Sequence, residues 1–228
     1  MSAGPWRVQA GVDSTTAEWD PPVGPPRAVF VCAHGAGGRM DDRSILAVSK
    51  ALTERGVGVV RFNFFYRAQG SARPDPMPRL LACWRAVLAR VREQLDPPVL
   101  IVGGRSMGGR AASVLVSDGE RADGLLLLAY PLHPPGHPEK LRAAHLGAIA
   151  IPVLCLNGTR DPFCDRSLME QTLRELGPNW RMHWLEGADH SFHVLKRSGR
   201  TDAEVLDETA REVEQWIRCE SGMSPRAT

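Results

Sequence analysis

The stretch Val99-Leu100-Ile101-Val102-Gly103-Gly104-Arg105-Ser106-Met107-Gly108-Gly109-Arg110-Ala111-Ala112 leaves the chain few folds to choose from. A run of leucine and β-branched residues, the pattern of a strand buried on both faces, breaks into glycines. A lone serine follows, and small residues then begin a helical pattern. Gly104-Arg105-Ser106-Met107-Gly108 reads G-x-S-x-G, the nucleophile elbow. The spacing has a steric cause. A serine at the tip of a sharp strand-to-helix turn takes a strained backbone conformation. The positions two residues away on either side lie too close to each other and to the next strand for a Cβ. The following helix aims free N–H groups and its positive end at whatever oxygen the serine attacks. A phosphate-loop reading fails, because G-x-x-x-x-G-K-[ST] is absent and the glycines do not fit G-x-G-x-x-G.

Around this centre the chain alternates. Two short strands, Trp6–Ala10 and 15–19, flank the turn Gly11-Val12-Asp13, and a proline-rich loop extends to residue 26. Strands are then expected at Ala28–Ala33, 57–63, 99–102, 124–130, 151–157 and 180–186. Helices are expected at 42–55, 78–94, from the elbow to Ser117, at 165–176 and at Asp202–Cys219. Residues 131–150, rich in proline and histidine, form a short cap-like insertion with one helical patch near 141–146, and 220–228 read as a frayed tail. Strand–helix alternation implies a mostly parallel sheet with helices on both faces, one α/β domain over residues 1–228. Chemistry in such sheets gathers beyond the carboxyl ends of the strands.

The bulk properties exclude several classes of function. Lys+Arg 28 against Asp+Glu 26 gives a net charge of +2 with no basic block, so the chain has no footprint for nucleic acid or an anionic membrane. Its longest apolar run, around 125–130, is too short to span a bilayer, and the N-terminus lacks a signal pattern. The 5 cysteines, Cys32, Cys83, Cys155, Cys164 and Cys219, show no metal-ligand spacing and read as reduced thiols of a cytoplasmic protein. Prolines between His133, His137 and His145 argue for loop histidines rather than a metal site.

A serine hydroxyl needs a base, and the base needs a carboxylate to orient it. Strand-end loops supply both in the order serine, acid, histidine. Asp161 in Asn157-Gly158-Thr159-Arg160-Asp161-Pro162 is the expected acid, and His190 in Gly187-Ala188-Asp189-His190-Ser191-Phe192 the expected base. Asp165, the rival acid, is better placed to cap a helix; His193 is the rival base. The Met107 and Ala36 backbone N–H groups are the expected oxyanion donors, with Gly35 giving the loop its freedom and His34 a structural part of it. Gly35, Phe64, Tyr66, Arg67 and His133 are candidate substrate contacts, although Phe64 and Tyr66 could equally be packed beneath the loop. Arg105 and Arg110 flank the elbow; structural ion pairs are expected for them, with an anionic substrate group as the alternative.

Taken together, His34-Gly35-Ala36-Gly37-Gly38, the elbow, the Asp161 loop and the His190 loop resemble the α/β-hydrolase superfamily over residues 29–217. Arg61-Phe62-Asn63-Phe64, the segment 103–110 and Tyr130-Pro131-Leu132-His133-Pro134-Pro135-Gly136 are similar to small capless hydrolases often termed dienelactone-hydrolase-like. The resemblance implies a Ser106–Asp161–His190 triad that hydrolyses a small carboxylic ester or thioester without metal or organic cofactor. Dienelactone hydrolases proper use a cysteine where this chain has Ser106, so their substrate does not carry over. The insertion is also too short for a helical lid. The alternative reading is a catalytically silent scaffold or binding subunit on the same fold.

Overall fold

A computed structural model describes residues 5–220; the expected tail beyond Glu220 lies outside the described residues. Eight strands form one sheet: β1 (Trp6–Ala10), β2 (Asp13–Asp20), β3 (Ala28–Ala33), β4 (Val57–Phe62), β5 (Leu100–Arg105), β6 (Gly124–Leu128), β7 (Val153–Gly158) and β8 (Trp180–Leu185). Their order is β1-β2-β4-β3-β5-β6-β7-β8. The β1–β2 hairpin joins β4 antiparallel, and every other pair is parallel.

Burial on both faces explains the continuous apolar strands. Along β3, Val29, Val31 and Ala33 face one layer while Ala28, Phe30 and Cys32 face the other. The first layer is built with α3 (Met77–Leu95), α4 (Met107–Ser117) and α5 (Arg166–Glu175), the second with α1 (Arg43–Thr53) and α6 (Asp202–Cys219). On α3 the stripe Leu80, Trp84, Val87, Leu88 and Val91 is buried, as its helical spacing requires. Cys32, Cys83, Cys155 and Cys164 are buried free thiols, and Cys219 is exposed. Among the described residues no helix is long and apolar enough to cross a membrane.

Four local expectations change. β5 runs on through Gly103 and Gly104 to Arg105, because both glycines pair with the neighbouring strands. β6 stops at Leu128, where Ala129 takes φ 52°. The segment after β4 holds a four-residue helix, α2 (Phe65–Ala68), rather than an open loop. In the insertion the only helical turn is a 3₁₀ turn at Leu146–Ala148, displaced from the expected patch. There the backbone folds back on itself instead, Arg142 N–H donating to Leu132 O (2.7 Å) and Tyr130 OH to Arg142 O (2.7 Å).

Candidate active site

The carboxyl ends of β3, β5, β7 and β8 bring four loops together. At the end of β5, Ser106 has φ 51° and ψ −117°, a left-handed conformation that costs a non-glycine residue about 1–3 kcal/mol. Its neighbours permit the turn because they are bare. A Cβ on Gly104 would lie 2.2 Å from Ala33 O, and one on Gly108 2.5 Å from the same oxygen. A Cβ on Gly109 would meet Gly104 O at 2.6 Å, so α4 starts flush against the strand that precedes it.

Ser106 Oγ lies 2.9 Å from His190 Nε2, and His190 Nδ1 lies 2.8 and 3.0 Å from the two carboxylate oxygens of Asp161. The tautomer that serves both contacts carries its proton on Nδ1, leaving Nε2 to accept from the serine hydroxyl. The Asp161 side chain is 0% exposed and that of His190 19%. Asp161 also accepts from Phe163 N–H (2.8 Å) and from Asn157 Nδ2 (3.2 Å). These donors fix the orientation of the carboxylate. Asn157 further exchanges two hydrogen bonds of 3.0 Å with the Tyr130 backbone, tying the ends of β6 and β7. The Phe163 ring lies 4.3 Å from the His190 ring. Asn157 and Phe163 escaped the sequence reading, and only their place beside Asp161, in the strand end and the turn after it, hinted at them.

The β7 and β8 loops meet because Gly158 has no side chain: a Cβ there would stand 2.1 Å from Ala188 O. The two rival groups are engaged elsewhere. Asp165 caps α5, accepting from Leu168 N–H at 3.0 Å, and the His193 Nδ1 faces Asp202 at 3.0 Å. Arg105 has no ion pair with any described residue, against the expectation. Its Nη2 donates to His190 O (2.7 Å) and Ser191 Oγ (3.2 Å), and Nη1 donates to Ser44 Oγ (3.3 Å). The residue before the serine thus grips the backbone of the histidine turn. A cleft of about 590 Å³ opens behind that turn, between α1 and α6, and neither Ser106 nor His190 lines it.

The loop after β3 is fastened from below. Gly37 N–H donates to Tyr66 OH (3.3 Å), Met40 N–H to Asn63 Oδ1 (2.9 Å), and Met40 O accepts from Arg61 (2.8 Å). His34 is fully buried, with Nδ1 2.8 Å from Gly35 O and Nε2 accepting from Phe64 N–H at 3.2 Å. Burial pushes its pKa down to about 4, so the ring is neutral at physiological pH. Gly35 faces the serine, since its Cβ would be 3.6 Å from Ser106 Cβ. The N–H groups of Ala36 and Met107 donate to no acceptor among the described residues.

Several candidate substrate contacts have structural work instead. Phe64 is 0% exposed, stacks on Tyr66 and meets His34 and Phe62 edge-on. Tyr66 is buried beneath the glycine loop, and Arg67 donates to Ser71 O (2.9 Å) within its own turn. His133 is buried with both ring nitrogens engaged, Nδ1 to Pro134 O (2.9 Å) and Nε2 to Asp165 N–H (2.9 Å), which leaves none for a ligand. His137 lies against Glu139 and His145 against Ser113, so the three loop histidines diverge. The Ser113–His145 pair (2.7 Å) is a second serine–histidine contact, but Ser113 is fully buried, donates to Arg110 O (2.8 Å), and no carboxylate among the described residues touches His145. It lacks the third group that a working base requires.

The fold is shared with known proteins. A serine hydrolase homologue from Coxiella burnetii superposes with TM-score 0.75 at 20% identity, over 94% of this chain and 97% of that one. A lid-less serine hydrolase from Xanthomonas campestris gives 0.73 at 22% identity, over 99% and 96%. Dienelactone hydrolase from Anabaena variabilis gives 0.72 at 18% identity, over 94% and 96%. From just before β3 to the last turn of α6, residues 26–218 match the alpha/beta hydrolase domain, and the chain belongs to that family.

Proposed function

We propose that the protein is a serine hydrolase that cleaves a carboxylic ester or thioester through an acyl-enzyme on Ser106. The observation that carries this reading is the unbroken hydrogen-bond line from Asp161 through His190 to Ser106, 2.8 and 2.9 Å, at the open end of the sheet. As Ser106 Oγ bonds to the carbonyl carbon, its proton passes to His190 Nε2, and Asp161, still ionised, stabilises the imidazolium. The carbonyl oxygen becomes an oxyanion that accepts from the N–H groups of Met107 and Ala36, while the bare Gly35 leaves room for it. The bond to the leaving group breaks and His190 returns the proton to the departing alcohol or thiol. Water then takes the place of the serine: it gives a proton to His190, its oxygen bonds to the acyl carbon, and the acid leaves as the proton returns to Ser106.

The test is a fluorophosphonate probe followed by peptide mapping, beside turnover of short p-nitrophenyl esters. Wild type is expected to be labelled at Ser106 and to turn over. Ser106→Ala abolishes both, and His190→Ala and Asp161→Asn lower kcat by about 10³- to 10⁴-fold. An Asp165→Asn variant that loses more activity than Asp161→Asn would displace the assigned acid. A well-folded wild type that neither labels nor turns over would favour a silent scaffold.

A further inference from the structure

Among the described residues, every buried or half-buried arginine has a carboxylate partner except Arg67, Arg105, Arg110 and Arg142. All four stand at the carboxyl edge of the sheet: in α2, at the end of β5, in the first turn of α4, and in the insertion after β6. Arg67 and Arg105 are occupied by backbone carbonyls. Arg110 is not. Its guanidinium makes no hydrogen bond or ion pair with any described residue, and its Nε is buried without a partner. Among the described residues the Arg142 guanidinium reaches only Pro131 O, at 3.3 Å.

These two arginines share one surface. Met107, Arg110 and Ser113 fall on one stripe of α4 at three-residue spacing. Ser113 touches His145, so the insertion that carries Arg142 lies along that stripe. The charge of Arg110 disfavours protonation of both Arg142 and His145, on top of the effect of their burial, so all three basic groups are close neighbours. The carboxylate that acts on His145, Asp118, sits at the far end of α4 and pairs with Arg85 at 3.8 Å. Half-buried like charges without a counter-ion are costly to keep. Arg110 follows Met107 by about 4.5 Å of helix rise, and helical side chains lean toward the N-terminus, here toward Ser106. The leaving group departs toward His190, which protonates it, whereas this stripe runs from the oxyanion donor Met107.

We propose that Arg110 and Arg142 form an anion subsite, and that the substrate is an ester or thioester whose acyl part carries a second, negatively charged group, a carboxylate or a phosphate. The proposal rests on acylation of Ser106. Its test compares mono-p-nitrophenyl adipate with p-nitrophenyl hexanoate at constant ionic strength. Wild type should favour the charged ester by roughly 10- to 100-fold in kcat/KM, and Arg110→Gln and Arg142→Gln should each erase most of that ratio, which cancels any loss common to both esters. In parallel, thermal melting of Ser106→Ala is followed with adipate, hexanoate or inorganic phosphate. An upward shift with adipate but not hexanoate, absent after Arg110→Gln, supports the subsite without calling on activity, and a larger shift with phosphate identifies a phosphate-bearing acyl group. Turnover of both esters at a ratio near one, with no anion-dependent shift, overturns the subsite and leaves the hydrolase reading intact. An anion-dependent shift without turnover or labelling has the opposite meaning.

Discussion

At the scale of single residues, the site depends as much on side chains that are missing as on those present. Gly104, Gly108 and Gly158 let backbones approach to distances that a methyl group would forbid, and Ser106 holds a strained φ between them. His34 adds a titration that the architecture must exclude. Its folded pKa lies near 4 because it is buried, against about 6.5 in the unfolded chain. Between these values only the unfolded state takes up the proton, so stability is unaffected above pH 6.5 and falls as the pH drops toward 4. About 2 kcal/mol should disappear between pH 7.5 and pH 5. Urea unfolding at the two pH values measures it, and in His34→Gln the dependence should flatten by that amount. The serine, acid and histidine that the structure brings into contact were legible because their residue types sit after strand patterns in a fixed order. Asn157, Phe163 and the target of Arg105 were not, because their roles exist only once distant loops meet.

At the scale of elements, helix ends explain which carboxylates are free for chemistry. Asp165 is engaged at the start of α5, while α6 begins with a full capping box in which Thr201 and Glu204 satisfy each other's backbone N–H groups. Thr201→Ala should therefore cost about 1 kcal/mol in denaturant unfolding and leave the Ser106–His190 geometry unchanged, since the side chains of Thr201 and Glu204 hydrogen-bond within the box and not to the His190 turn. Element type was readable wherever periodicity was long, as on α3 and α6. It failed at β5, where glycines erase the strand signal while the pairing continues, and in the insertion, where backbone bonds to Tyr130 and Leu132 outweigh the weak helical pattern at 141–146.

At the scale of the whole molecule, alternation of strands and helices made the mostly parallel, two-faced sheet legible, and with it the edge where the loops converge. Strand order was not, because periodicity states which residues are buried but not which strands are neighbours. The placement of β3 between β4 and β5 is what sets the glycine loop beside the serine. Gly158 and Ala188 bring the last two strand-end turns into backbone contact, and Arg160 N–H donates across it to Ala188 O (2.9 Å). Acid and base are thereby yoked into one mechanical unit, with no hinge between them. Gradual heating should then show no silent interval: catalytic decay and loss of near-ultraviolet circular dichroism should fall on a single curve, whereas activity fading several degrees early would mean that the two turns can part company.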